Sequence, residues 1–394
     1  MSASHKFGPS DEFGAQPCPS HVPLSRLLWQ RLATEGRLSF ADFMDTVLYH
    51  PEFGYYSSPE PRVGHDGDYY TSVSVHPLFA ACIADQMAQM WQLLGRPSQF
   101  TIVECGAGSG ELAQQVLASL AQAWPQLWQD CRYWLVEMKP SAAEALLTLD
   151  SLAPGRVAWS PNLNGLSGPV VGCVLSNELV DAFPVHRVRK RDGVLRELFV
   201  VEAGGRLAEA EGEPSDPELE RYFVDLGIEL EDGQEAEVNL AARAWLDEVA
   251  SKLERGFILT VDYGYEARDL YGPRFPKGTL VGYRKHRLVE DWFASLGCQD
   301  LTSHVCFTAL RQWGERVGLA FTGLTTQSRF LLSMGILEKL ARLDAKTTVA
   351  RYRDIVAVKQ LVAPAGMGEA FKVLIQHKGV ESPELRGLQS PWTR

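Results

Sequence analysis

Acids stand where four apolar runs stop, and that is where chemistry is done in an open α/β sheet. Glu104 closes Thr101-Ile-Val and leads into Gly106-Ala-Gly-Ser-Gly110. Glu137 closes Arg132-Tyr-Trp-Leu-Val136, Asn177 and Glu178 follow Pro169-Val-Val-Gly-Cys-Val-Leu-Ser176, and Asp262 follows Phe257-Ile-Leu-Thr-Val261. The glycines allow positive φ and let a ligand approach the backbone. The helical pattern that starts at Glu111 offers unpaired N–H donors at its first turn. A carboxylate at the end of the second run suits a ribose, because both its oxygens accept and neither donates.

The glycine spacing separates two nucleoside ligands. A dinucleotide fingerprint reads G-x-G-x-x-G, and its third glycine falls on Glu111. An acid there faces the place of a pyrophosphate. S-adenosylmethionine (SAM) carries no phosphate and bears a sulfonium and an ammonium, so Glu104 and Glu111 suit it. The expected cofactor contacts are Glu104, Gly106, Ala107, Gly108, Glu137, Met138, Asn162, Asn177, Thr71 and Ser72. Plainer readings are a glycine-rich turn in some other α/β protein, a solvated strand-end acid at 137, and a helix cap at Asn177.

These residues need a frame. The chain has 394 residues, 45% hydrophobic, which is enough for a sizeable core. No apolar run approaches the roughly 18 residues of a membrane span. A formal charge of −11 argues against a general nucleic-acid binder. The seven cysteines are odd in number and lack a C-x-x-C, which argues against a disulfide framework and a zinc site and suits a reducing compartment. The first twenty residues are polar, contain Asp11 and Glu12 and lack Arg, unlike a signal or transit peptide, so the cytoplasm is the expected location.

In order, residues 1–21 read as a disordered tail and 22–97 as a helical segment with an aromatic lid. Residues 98–184 form the SAM-binding half of the sheet, 185–232 an insertion, and 233–377 the rest of the sheet with helices. A frayed tail spans 378–394. Helices are expected over 40–49, with Ser39 as N-cap, over 235–254, over 289–297 and over 327–343. The lid segment holds Pro51-Glu-Phe-Gly-Tyr-Tyr56 and Gly67-Asp-Tyr-Tyr-Thr-Ser72. Five strand-like runs alternate with helices, and a sixth, Glu369–Gln376, closes the chain. The pattern predicts a doubly wound, mostly parallel α/β sheet with a helical N-terminal segment and an inserted subdomain.

Several ordered motifs resemble the MidA-type family of SAM-dependent methyltransferases over roughly residues 25–377. They are Phe53-Gly-Tyr-Tyr56, Gly67 to Ser72, the glycine loop, Ser176-Asn-Glu-Leu-Val-Asp-Ala-Phe-Pro-Val-His186, Val261 to Tyr265, Gly278-Thr-Leu280, Tyr283-Arg-Lys-His286 and Asp300-Leu-Thr-Ser-His304. The resemblance implies a class I methyltransferase fold, SAM as cofactor and an arginine side chain of a partner protein as acceptor. It also implies a setting in respiratory complex I assembly. The family usually has an acid or amide near Cys306 and an acid near Cys298, and the segment between His286 and Asp300 is atypical, which points to a different substrate if those positions bind it.

A guanidinium is cationic and delocalised, so it attacks poorly. A carboxylate paired with two of its N–H groups orients it and localises the lone pair on the third nitrogen. Glu178 and Asp181 are the candidates, then Asp68, with His286 or His304 to take the departing proton. The competing readings are an NAD-dependent oxidoreductase, a SAM-binding assembly factor without catalysis, and a small-molecule methyltransferase.

Overall fold

The computed structural model describes residues 18–57, 71–139, 142–285, 287–344 and 347–391. Asp68, His286, residues 1–17 of the expected tail and most of the expected lid lie outside the described residues.

Seven strands form the main path of the central sheet, β1 (Phe100–Cys105), β2 (Cys131–Val136), β3 (Val157–Ser160), β4 (Val170–Asn177), β5 (Leu253–Tyr265), β6 (Ala320–Thr326) and β7 (Phe371–Lys378), and the short strand Val305–Cys306 pairs off this path with the end of β5. Their order is β3-β2-β1-β4-β5-β7-β6, and β7 alone runs antiparallel to its neighbours. Buried on both faces, the inner strands read as continuous apolar runs, as parallel strands must. Phe100 and Ile102 pack with the helices Leu78–Leu93 and Glu111–Ala123 on one face. Val103 and Cys105 pack toward Leu240–Lys252 and Phe307–Arg316 on the other. That is the period-two alternation of a strand.

Register brings the strand ends level. Cys105 lies opposite Val136 and Ser176, and Asn177 lies opposite Val261. The four runs therefore end along one edge, beside the crossover between β1 and β4, where the chain winds outward in both directions.

A third core lies away from this sheet. Leu24, Leu28 and Leu32 of the helix His21–Glu35, with Phe40, Phe43 and Met44 of Phe40–Tyr49, pack against Val185, Val200, Leu296 and Leu301. Ser39 caps Phe40–Tyr49 as expected, its Oγ accepting from the Asp42 N–H at 3.0 Å. Leu38 and Ser39 pair with Val200 and Phe199 of the insertion. The N-terminal helices thus belong with the inserted sheet, while Leu78–Leu93 belongs to the central one.

The structure corrects several expectations. The insertion extends past 232: Glu235–Val238 is a strand paired with His186–Arg191, not the start of a helix. Its reason is electrostatic, since the Glu235 carboxylate takes Arg187, Arg189 and Lys277. The helix begins at Leu240, where Asn239 Oδ1 accepts the Ala242 N–H at 2.8 Å. Residues 291–297 are turns rather than helix, because Trp292 and Phe293 set their rings edge-on against Phe40 and Phe43. The helix expected over 327–343 is two, Gln327–Ser333 and Ile336–Arg342, parted at Gly335 with φ +79°. The cysteines are not all reduced: Cys18 and Cys298 form a disulfide across 280 residues of sequence, Cα to Cα 6.0 Å. Residues 18–21 are thereby ordered rather than part of a loose tail, and residues 385–387 are not frayed as expected, since Leu385 is buried and the Arg386 and Gly387 N–H groups donate to Gln89 and Gln86. β6 has no counterpart among the expected strands, because this half-exposed edge strand, with Thr322, Gly323, Thr325 and Thr326, carries little apolar signal.

Candidate active site

The loop after β1 turns on Gly106 (φ +72°), Gly108 (φ +53°) and Gly110 (φ +74°), conformations that side-chain-bearing residues rarely adopt. A Cβ at Gly108 would meet nothing within 4 Å, so the loop backbone faces open space there. Ala107 is buried beneath it. The Gly108 N–H donates to Glu137 Oε2 at 2.9 Å, and the Lys139 N–H donates to Oε1 at 3.0 Å. The Trp159 indole N–H holds the Glu137 carbonyl at 2.9 Å. Glu137 is thus fixed at the exposed glycine loop with both oxygens oriented. Met138 beside it is 51% exposed, and Asn162 is exposed with its Oδ1 capping the Asn164 N–H.

Glu104 sits deeper. It is buried and accepts the Tyr133 hydroxyl at 2.6 Å. Burial pushes its carboxyl up to about 8, against the Tyr133 hydrogen bond and with the help of Glu137. Its expected place against the ligand is taken here by a bond within the sheet. Exposed backbone at Gly106 and Gly108, a fixed carboxylate at 137 and an apolar surface at Met138 fit an adenosine carried by a sulfonium. Of the residues expected to meet the cofactor, Gly106, Ala107, Gly108, Glu137, Met138 and Asn162 lie in this half of the site.

The second half starts at the end of β4. Glu178 has φ +52°, the left-handed region, and its N–H donates to the Val261 carbonyl at 2.9 Å. Asp262 holds this turn. Its Oδ2 accepts the N–H groups of Leu179, Val180 and Asp181 at 3.2, 2.9 and 3.3 Å, and its Oδ1 accepts that of Tyr263 at 2.9 Å. Four backbone donors on one fully buried carboxylate anchor a strained segment. Sequence reasoning saw Asp262 only as another acid at a strand end.

Glu178 Oε1 accepts the Ser72 N–H at 2.8 Å and the Asn177 amide at 3.3 Å. Thr71 caps the short helix Ser72–Val75, and the Ser72 hydroxyl donates to Gln327 at 3.0 Å. So Thr71, Ser72, Asn177 and Glu178, far apart in sequence, meet here. Burial pushes the Glu178 carboxyl up to about 8, with Asp181 adding to the rise and the Ser72 N–H opposing it. Asp181 is buried and rises to about 6 from the same cause, tempered by the Tyr263 hydroxyl. Its Oδ1 and the Asn177 Oδ1 are buried with no hydrogen-bond partner among the described residues.

His304 lies beside Tyr263, Tyr265 and Phe275, ring centroids 5.3 to 5.5 Å away. Burial, with Arg274 and Lys372 nearby, pulls its imidazole down to about 4. It is neutral at pH 7 and a weak base. Tyr49 donates to the Ala182 carbonyl beside Asp181 and stacks on Tyr56, which donates to Asp300, paired in turn with Tyr283; in the sequence these residues stand out only as part of an aromatic loop and short motifs. Among the described residues no cluster of His, Cys, Asp and Glu could hold a metal ion.

A family model for S-adenosyl-L-methionine-dependent methyltransferases matches residues 82–325, which takes in the glycine loop, Glu137, Asn177, Glu178, Asp181 and Asp262 but not Thr71 and Ser72. The human mitochondrial protein arginine methyltransferase NDUFAF7 is 27% identical over 400 residues, 93% of this chain and 87% of its own. Its Drosophila melanogaster homologue is 27% identical with the same coverage. A Burkholderia thailandensis protein crystallised with S-adenosyl-homocysteine superposes with a TM-score of 0.85, at 31% identity over 98% of this chain and 97% of that one. With seven strands in this order, a glycine loop facing open space and an oriented Glu137, the chain belongs to the MidA-like family of SAM-dependent methyltransferases and uses SAM as its cofactor.

Proposed function

We propose that the protein methylates a nitrogen of an arginine side chain on a partner protein. The observation that carries this is the pair Glu178 and Asp181, two carboxyls held by one strained turn at the edge where Glu137 and the glycine loop also lie. SAM supplies an electrophilic methyl group on a sulfonium when bound. Glu178 orients the guanidinium and takes the proton that the attacking nitrogen gives up. With its carboxyl raised to about 8, Glu178 is, once ionised, a stronger base than an ordinary carboxylate. Asp181 pairs with a second guanidinium nitrogen through its unpartnered Oδ1. Asp262 keeps both in place without touching the substrate.

The relatives named as protein arginine methyltransferases support this acceptor. The Burkholderia neighbour with S-adenosyl-homocysteine speaks against an NAD-dependent oxidoreductase, as does Glu111 at the helix start. A partner in respiratory complex I assembly belongs to the same proposal, as does action in the cytoplasm. No helix among the described residues is long and apolar enough to cross a membrane.

Radiolabelled methyl transfer from SAM into cell lysate, followed by acid hydrolysis, tests the reading. Label is expected in methylarginine and lost with Glu178→Gln. Tight SAM binding without transfer to any protein would favour an assembly factor that only binds the cofactor.

A further inference from the structure

Asp181 is 6% exposed, and its Oδ1 meets no donor among the described residues. A buried acceptor left so is costly, and a ligand bearing several N–H donors and a positive charge would remove that cost. A second acid lies on the strand next to its turn. Asp300 is buried on the strand Asp300–Thr302, paired across from Tyr283 of Val281–Arg284. The Ser303 N–H donates to the Asp181 carbonyl at 2.9 Å, tying the end of that strand to the catalytic turn. Asp300 Oδ1 accepts the Tyr56 hydroxyl at 2.7 Å. Tyr56 stacks on Tyr49, centroids 5.3 Å apart and 29° between planes, and the Tyr49 hydroxyl donates to the Ala182 carbonyl at 2.8 Å. Burial, and then both acids, push the Tyr49 and Tyr283 hydroxyls up, so two buried acids from different layers of the fold lie by the same tyrosines.

That chemistry distinguishes two cations. A guanidinium has five N–H donors in a plane and two faces that lie against aromatic rings; an ammonium is a compact, strongly hydrated point charge with three donors. We propose that Asp300 determines specificity for arginine: with the free Oδ1 of Asp181 it forms a two-sided acidic seat for the guanidinium, walled by Tyr49, Tyr56 and Tyr283, while Glu178 faces the reacting nitrogen. The inference rests on the arginine reading above and assigns the selection of that substrate to a residue outside the Rossmann-like core.

The test is calorimetric titration of the full-length protein, saturated with S-adenosyl-homocysteine, with butylguanidinium and with butylammonium. The wild-type protein should bind butylguanidinium at least tenfold more tightly than butylammonium. Asp300→Asn should weaken the guanidinium at least tenfold while leaving the affinity for S-adenosyl-homocysteine and the thermal midpoint in place. Tyr56→Phe, which removes only the donor that orients Asp300, should weaken it by a smaller factor. In methyl transfer, Asp300→Asn should raise KM and spare kcat. Unchanged guanidinium affinity in Asp300→Asn overturns the inference alone, as does equal wild-type affinity for the two cations. If Asp300→Asn does not fold, unchanged affinity in Tyr56→Phe overturns it. A wild-type protein that binds no butylguanidinium overturns the arginine reading and this inference with it.

Discussion

Single carboxyls carry both the proposed chemistry and the expected response to pH. Glu104 and Glu178 are each raised to about 8 by burial. A raised acid binds more protons folded than unfolded, so its contribution to stability is full below the unfolded value of about 4.3 and is lost as pH climbs toward 8. Each group gives a slope of at most about 1.4 kcal/mol per pH unit in that window. Chemical denaturation between pH 5 and 8 should show the wild-type protein losing stability as pH rises, and Glu104→Gln should flatten the curve. Parallel curves would mean that Glu104 is not the group responsible. Activity should run the other way. Glu178 takes a proton only when ionised, so kcat/KM should rise with pH and level off above about 8. Glu178→Gln should lower kcat by at least about 100-fold, or about 2.7 kcal/mol.

Elements matter here through their ends. β4 and β5 present Asn177, Glu178 and Asp262 together because Asn177 pairs with Val261 in register. The turn after β4 would not keep Glu178 at positive φ without the donors that Asp262 gathers. Asp262→Ala leaves the N–H groups of Leu179, Val180 and Asp181 without their acceptor, and should cost about 2–4 kcal/mol of stability as well as activity. Affinity for S-adenosyl-homocysteine should fall far less, because Glu137 and the glycine loop belong to β1 and β2. Gly108→Ala should do the reverse. Its φ of +53° strains any side chain by about 1–2 kcal/mol, and the new methyl group enters the space into which the loop opens. Calorimetry on both variants separates the halves, and loss of cofactor affinity in Asp262→Ala equal to that in Gly108→Ala would show the division to be wrong.

At the scale of the molecule, a second layer built on the third core stands beside the central sheet, and it supplies one wall of the site proposed above. Tyr49 and Tyr56 arrive from the N-terminal helices, and Tyr283 and Asp300 from the small sheet after β5. The Cys18–Cys298 disulfide joins these two segments at their edge. Gly297 packs so closely on Phe53, Leu24 and Ser20 that a Cβ there would lie 2.5 to 2.8 Å from them. Cys18→Ser should therefore lower stability by about 2–4 kcal/mol and speed hydrogen exchange in His21–Glu35, with affinity for S-adenosyl-homocysteine preserved. Peptide mapping under non-reducing conditions should recover the 18–298 link. Exchange in that helix indistinguishable from wild type would show that the link does not hold the layer.

What the sequence determined by itself was local. Apolar runs of strand length, each closed by an acid or amide, marked β1, β2, β4 and β5, and glycine spacing separated SAM from a dinucleotide. These signals are short-range: a strand buried on both faces must be apolar throughout, and a tight loop at positive φ needs glycine. Tertiary structure decided what is brought together. Ser72 meets Glu178 across 106 residues, and Tyr56 meets Asp300 across 244. No periodicity reports such contacts, because they are set by how layers pack. The same packing turned Glu235–Val238 into a strand through its ion pairs and kept 291–297 out of a helix through Trp292 and Phe293. An acid such as Asp262 is visible to the reader of a sequence, but its work of holding four backbone N–H groups exists only once two neighbouring strands end at the same level.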